Sequence, residues 1–275
     1  DWEEGSTLSE QEQDEAIQKF LDRIIFIRTA EDRGLSKKAL LDIYRDDNPS
    51  TSWRRLSALF TSYEGKFKSN LFTKHPLDTR PFHHIKIMEV LGGFFDSTDG
   101  FDYDFSAITG DVLGGVYEKY LSLSRLPESE RTDKSKRKLR GIFYTPRHVV
   151  DYLLSNSLDE LFADGYDPRK IRVLDPACGS GTFLVSAFDR LVRERSKTKD
   201  SGLLDEIEVA TENLFGIDID AQATEIARLN IFLKCLRSDV QLPDLSSNIT
   251  EANTLLIPNL TSAGGGFGDL AVDDV

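Results

Sequence analysis

The sequence predicts an α/β chain in which an all-α N-terminal part leads into the first strands of an open parallel sheet. Three observations carry this. Residues 1–126 show helical periodicity, with no strand alternation and no internal repeat. Around Val173–Gly181 a short apolar run ends in Asp175, turns through small residues and opens a helical stretch. From Gly141 onward strand-like and helix-like stretches alternate, which implies parallel strands joined by crossovers.

The elements follow in order. Ile17, Leu21, Ile24, Ile25 and Arg28 set one face of a first helix, which is expected to stop at Gly34. Ser36 is placed to cap a short helix through Tyr44, and Asn48-Pro49-Ser50 forms a turn. Further helices are expected over 53–71, over 81–91 with Pro81 in the first turn, and over 111–123. Gly92-Gly93 and Ser97–Gly100 are expected to break the pattern. Residues 127–140 form a basic linker, whose run from Arg131 to Arg140 sets Arg131, Lys134, Lys136, Arg137, Lys138 and Arg140 against Asp133 alone. That run reads as a solvated loop or as a phosphate-contacting one.

Beyond it, Thr145 is expected to cap a helix with Pro146 in first position, buried through Val149, Val150, Leu153, Leu154, Leu158 and Leu161. Strands are expected at 171–175, 214–217 and 247–249, helices at 181–195 and 221–237, and a weaker helix up to 211. The glycine-rich run 261–268 reads as flexible.

Composition narrows the function. The 275 residues carry 47 acidic and 34 basic side chains, a formal charge of −13. No stretch approaches the roughly 20 apolar residues of a membrane helix, and the acidic N-terminus is unlike a signal peptide. Cys178 and Cys235 are too few for a disulfide framework, and four histidines without a close cluster leave no metal site. The expectation is a reduced cytoplasmic protein without a membrane partner. Net acidity argues against nucleic acid, but Asp (29) outnumbers Glu (18), a balance that resembles proteins of salt-loving organisms.

The chemistry concentrates in Val173-Leu174-Asp175-Pro176-Ala177-Cys178-Gly179-Ser180-Gly181-Thr182. A strand ends in a carboxylate, two glycines allow close backbone approach, and the next helix points its N-terminus at the turn. It lacks the Gly-Lys-Ser/Thr ending of a P-loop and the third glycine of the dinucleotide fingerprint. A carboxylate inside the turn accepts from an ammonium group, which a pyrophosphate site would not want. In Gly216-Ile217-Asp218-Ile219-Asp220 an acid at the end of a second strand can hold two ribose hydroxyls.

Together these residues resemble the cofactor half of the adenine-N6 DNA methyltransferases of restriction–modification systems. Gly141-Ile142-Phe143-Tyr144-Thr145-Pro146 resembles that family's first motif, 174–181 its glycine-rich motif, 216–220 its ribose motif and Asn253-Thr254-Leu255-Leu256 its adenine-flanking segment, with Asn where Asp is common. Residues 20–35 resemble the helical connector of single-chain restriction–methylation enzymes. The resemblance implies a partial Rossmann-like S-adenosylmethionine-dependent methyltransferase sheet, first strands only, behind an all-α connector domain (1–126). It implies that Asp175 accepts from the cofactor's amino group, with Ala177, Gly179 and Gly181 as backbone contacts. Asp218 would hold the ribose and Ile219 pack on the adenine, with Asn253 and Thr254 at its polar edge. Phe143, Thr145 and Pro146 would cover the methionine moiety.

The family's catalytic signature, Asn/Asp-Pro-Pro-Tyr/Phe, is absent from the sequence, so no catalytic residue is assigned. The expectation is a partial chain, inactive alone. Residues 141–275 would form the N-terminal half of a methyltransferase domain that grips DNA mostly through other parts, with a specificity or nuclease module as further partner. Two other readings stay open: a methyltransferase for RNA or a protein amide, and a non-catalytic DNA-binding subunit with a relic pocket.

Overall fold

The computed structural model describes residues 9–46, 48–67, 70–75, 78, 84–96, 103–107, 145–197, 205–237 and 241–256. The chain divides into two units, 1–108 with 236–242, and 109–235 with 243–275. The expected helix over 111–123, the basic linker, Phe143, Pro81, the break at 97–100 and the glycine-rich run lie outside the described residues.

In the first unit, helix α1 (Glu10–Asp32) starts at a capping box. The Glu12 amide donates to Ser9 Oγ at 3.3 Å and the Ser9 amide to Glu12 Oε2 at 2.8 Å. It stops at Gly34, as expected. At φ +70° the chain turns left-handed, and Gly34 and Leu35 amides donate back to Glu31 and Ala30 carbonyls. The buried face agrees with the expected one only in part. Ile24 and Arg28 are buried as expected, Ile17, Leu21 and Ile25 are half-buried, and Phe20, Phe26, Ile27 and Ala30 outside that face are buried too. The helix is covered on most sides, so a single 3.6-residue stripe does not describe it.

Helix α2 (Ala39–Tyr44) has Lys38 rather than Ser36 at its cap; the Ser36 hydroxyl meets Tyr63 instead. Helix α3 (Ser52–Phe67) buries Leu56, Phe60, Tyr63 and Phe67, spaced for one face. It ends earlier than expected, and a separate 3-10 turn follows at Asn70–Phe72. Phe26, Phe67, Phe72 and Tyr63 pack edge-to-face or tilted at 5.3–5.5 Å between centroids. Helix α4 (His84–Phe95) runs straight through Gly92-Gly93. The expected break does not occur: Tyr44 stacks on Phe95 at 5.3 Å and its hydroxyl sits beside Gly92. Packing there outweighs the roughly 1 kcal/mol intrinsic penalty of a helical glycine.

Glu31 is buried in this unit and its Oε1 accepts from the Leu40 amide at 2.8 Å. Burial pushes its carboxyl up to about 7, against the pull of that amide and of Arg28. The native state therefore keeps the proton to higher pH than the unfolded chain, and stability falls as pH rises from about 4.5 through about 7. Glu31→Gln keeps the bond to Leu40 without a charge. It is expected to remove this slope and to stabilise the chain at pH 8 by roughly 1–2 kcal/mol after allowance for screening. Urea midpoints at pH 5 and pH 8 check this; equal slopes in both proteins contradict it.

The second unit holds the strands among the described residues. Helix α5 (Arg147–Ser155) begins one residue later than expected, with Pro146 rather than Thr145 at its cap and no side-chain capping bond there. Extended backbone at Pro146 lets its carbonyl accept from Val149 and Val150. A break at Asn156-Ser157 precedes α6 (Leu158–Ala163) and re-phases the apolar stripe. Val150, Leu154 and Leu158 are buried, but Leu153 and Leu161 are exposed, against expectation.

Strands β1 (Val173–Asp175), β2 (Leu214–Asp218) and β3 (Ile249–Glu251) form a parallel sheet in the order β1-β2-β3, with Asp175 beside Gly216 and Gly216 beside Ile249. Leu214–Ile217 are all buried, the pattern of a central parallel strand. Helix α7 (Thr182–Arg195) follows β1, and α9 (Ala221–Cys235) joins β2 to β3; the two helices pack on each other and on the strands. Before β2, the weak helix resolves into α8 (Asp205–Glu208) and a π-turn, Val209–Asn213. Buried Asn213 explains that turn. It accepts from Arg195 at 2.7 Å and donates to the carbonyls of Pro168 and Ile171 before β1.

Candidate functional site

The site is the turn between β1 and α7, at the carboxyl ends of the strands. It is pinned from several elements. The Cys178 amide donates to the Ile217 carbonyl at 2.9 Å, laying the turn over β2. The Gly179 amide donates to Asp218 Oδ2 at 2.8 Å, and Thr254 Oγ1 donates to the Pro176 carbonyl at 2.6 Å. The turn thus joins the ends of all three strands.

Two glycines are required by space. At Gly181 φ is +86°, and an added Cβ would lie 3.0 Å from Ala227 Cβ and 3.1 Å from Ala227 Cα. At Gly216 a Cβ would lie 2.8 Å from Leu184 Cδ1 and 3.0 Å from Cys178 Sγ. Cys178 itself is buried, and burial, reinforced by Asp175 and Asp218, pushes its thiol upward. It stays neutral and fills space under the turn.

Asp175 and Asp218 stand at the ends of neighbouring strands. Burial raises the Asp175 carboxyl above the ordinary range, the Ala177 amide opposes this, and the Asp218 charge adds to it. Asp175 Oδ1 accepts from Ala177 at 3.1 Å. Asp218 is more committed: Oδ1 accepts from the Asp220 amide at 2.9 Å and Oδ2 from Gly179. Each oxygen keeps a second lone pair for a hydroxyl.

The site residues read from the sequence are distributed as follows. Asp175, Ala177, Gly179, Gly181, Asp218 and Thr254 are brought together around the turn. The amides of Ala177, Gly179 and Gly181 all have internal acceptors. These residues therefore offer a ligand close backbone approach rather than free donors. Ile219 is 69% exposed, an apolar side chain held out beside Asp218. Asn253 is half-buried and its Oδ1 accepts from the Leu255 amide at 3.1 Å. Thr145 is half-buried and Pro146 exposed, and no hydrogen bond joins either to the turn. Sequence reading passed over Asn230, whose Nδ2 donates to the Ser180 carbonyl at 3.0 Å. A polar residue inside the apolar run 229–233 was the signal available.

Among the described residues no group of His, Cys, Asp and Glu is placed to hold a metal ion, and no helix is long and apolar enough to cross a membrane.

A family model described as N-6 DNA methylase matches residues 108–267, more than half of the chain. The chain belongs to the N-6 DNA methylase family. Its glycine turn, both strand-end acids and Asn253-Thr254 all fall inside the matched segment. Among curated relatives, the type II restriction enzyme and methyltransferase RM.Eco57I of Escherichia coli is 27% identical over 90% of this chain and 28% of its own length. A putative enzyme of the same description, RM.MjaORFECS2P of Methanocaldococcus jannaschii, is 24% identical over 86% of this chain and 27% of its own length. The chain thus spans little more than a quarter of either relative. Of solved structures, the Type IIL restriction-modification enzyme MmeI in complex with DNA matches with a TM-score of 0.52 at 21% identity, over 88% of this chain and 37% of that one. That likeness speaks for the fold alone.

Proposed function

We propose that this chain is the cofactor-binding part of an S-adenosylmethionine-dependent DNA adenine-N6 methyltransferase of a restriction–modification system. The observation that supports this best is the pair of carboxylates, Asp175 and Asp218, on either side of a glycine turn. The donor set suits the cofactor. S-adenosylmethionine carries an ammonium and a sulfonium, and the site offers two carboxylates. Its ribose matches an acid at the end of β2, and its adenine matches the exposed face of Ile219.

When bound, the cofactor supplies an electrophilic methyl group. In this reading Asp175 orients the methionine end through its amino group, and Asp218 holds the ribose hydroxyls while still clamping Gly179. Ile219 packs on the adenine ring, and the Asn253 side-chain amide donates to a ring nitrogen. Thr254 acts chiefly by tying this segment to Pro176. Phe143, Thr145 and Pro146 cover the methionine moiety. The groups that receive the flipped adenine belong to the signature this sequence lacks, so transfer itself is assigned to the complete protein, with DNA as substrate.

Calorimetric titration with S-adenosylmethionine tests the reading. The wild-type chain is expected to bind, and Asp218→Ala to bind at least about 100-fold more weakly, through loss of both the ribose and the Gly179 partners. A folded wild-type chain that binds no cofactor overturns the proposal. Because the ammonium needs ionised Asp175, affinity is expected to fall as pH drops through that group's raised value. Asp218→Asn removes a charge that raises it, so the midpoint of this loss is expected to move to lower pH even as the plateau affinity drops. With the complete protein, label from the cofactor's methyl group is expected in duplex DNA; label only in RNA or protein contradicts the choice of substrate.

A further inference from the structure

Helix α9 carries a polar side chain where its neighbours are apolar. Asn230 is 1% exposed, amid buried Ile226, Leu229, Ile231, Phe232 and Leu233. Its Nδ2 donates to the Ser180 carbonyl at 3.0 Å, while its Oδ1 is buried without a hydrogen-bond partner among the described residues. A half-satisfied amide in an apolar surround is unfavourable compared with a leucine of similar shape. One helical turn earlier, Ala227 closes the space at Gly181, where a Cβ would lie 3.0 Å from Ala227 Cβ. Residues three apart share a helix face, so α9 touches two consecutive residues of the turn, Ser180 through a hydrogen bond and Gly181 through contact.

We infer that Asn230 is a positioning residue that sets the conformation of the cofactor turn. This deepens the cofactor reading above and rests on it. The Ser180 carbonyl belongs to the peptide that leads into Gly181. Holding it fixes that peptide plane, and with it the left-handed φ of Gly181 and the start of α7. The Asn230 bond acts from a helix that begins just after the β2 acid Asp218. It therefore ties the backbone facing the methionine end to the element carrying the ribose acid. Ties from Cys178, Gly179 and Thr254 act at residues 176–179, and the Gly181 amide donates to the Cys178 carbonyl at 2.8 Å within the turn; Asn230 holds the carbonyl end of that same 180–181 peptide from outside the turn. Its unused Oδ1 fits a residue kept for its donor.

Asn230→Leu removes the donor and keeps the branch at Cγ. In the unliganded chain, amide hydrogen exchange over residues 176–182 is expected to rise by about tenfold, with the global unfolding midpoint unchanged or higher. On the same samples S-adenosylmethionine is expected to bind about tenfold more weakly, the worth of one hydrogen bond. A merely structural role predicts instead a lower midpoint with exchange rising throughout the unit. Asn230→Asp supplies a second arm if the leucine variant does not fold. Ionised, it turns an acceptor toward the Ser180 carbonyl; protonated, it regains a donor. Its binding deficit relative to wild type is expected to be larger at pH 8 than at pH 5.5. Unchanged turn exchange in a folded variant, a uniform rise, or a pH-independent deficit in the aspartate variant overturns the inference. Absence of cofactor binding by the wild type overturns the cofactor reading alone, since the exchange arm uses no cofactor.

Discussion

Gly181→Ala is expected to abolish S-adenosylmethionine binding and to destabilise the chain by roughly 2–5 kcal/mol. Two effects add. A left-handed φ imposed on a residue with a Cβ costs about 1–2 kcal/mol. The Cβ then meets Ala227 at 3.0 Å, with the helix backbone behind it at 3.1 Å. Neither atom is the end of a flexible chain, so the turn or α9 must move, at roughly 1–3 kcal/mol. Gly165 separates the two effects. It has nearly the same φ, +85°, with nothing within 4 Å of an added Cβ. Gly165→Ala is therefore expected to show the backbone term alone, about 1–2 kcal/mol, with cofactor binding retained. Denaturant midpoints and calorimetry on both variants check this. Equal losses in the two would remove the contact with Ala227 from the account.

Arg23→Ala is expected to destabilise the helical unit by about 3–5 kcal/mol, the range for breaking a buried ion pair by removing one partner. The Arg23 side chain is fully buried. Nε donates to the Leu71 carbonyl at 3.0 Å, Nη2 to the Thr73 carbonyl at 2.8 Å and Nη1 to Asp78 Oδ1 at 2.7 Å, while the guanidinium lies 4.9 Å from the Phe60 ring centre. Removing it leaves a part-buried carboxylate and two carbonyls without their donor. Arg23→Lys is expected to recover little, because an ammonium cannot reproduce the planar fork. Unfolding followed through Trp53, which lies in this unit, reads the change. A lysine variant as stable as wild type would falsify the role given to the fork.

What could be read directly was what is local in the chain. The glycine turn and its flanking strands were legible because a strand, its terminal acid and the following helix are consecutive, and Gly179 and Gly181 do take left-handed backbone. The stop of α1 at Gly34 was legible for the same reason. The break expected at Gly92-Gly93 failed because local preference there is overruled by Tyr44 and Phe95. The apolar stripe of α5 and α6 failed at Leu153 and Leu161 because a two-residue break changes the phase of the helix. The face assigned to α1 held only at Ile24 and Arg28, because a helix enclosed on most sides has no single buried stripe.

By itself, then, the sequence determined the strand–turn–helix order, the parallel sheet and the residues of the glycine turn. These depend on short-range backbone chemistry and on motifs contiguous in the chain. Only the tertiary structure decided how the turn is held: Thr254 reaching Pro176, Asp218 clamping Gly179, and Asn230 bonding Ser180 across 50 residues. It also decided that the turn's glycine amides are already satisfied. Such contacts join residues far apart in sequence, and whether a donor is free depends on which distant acceptor packing brings within about 3 Å.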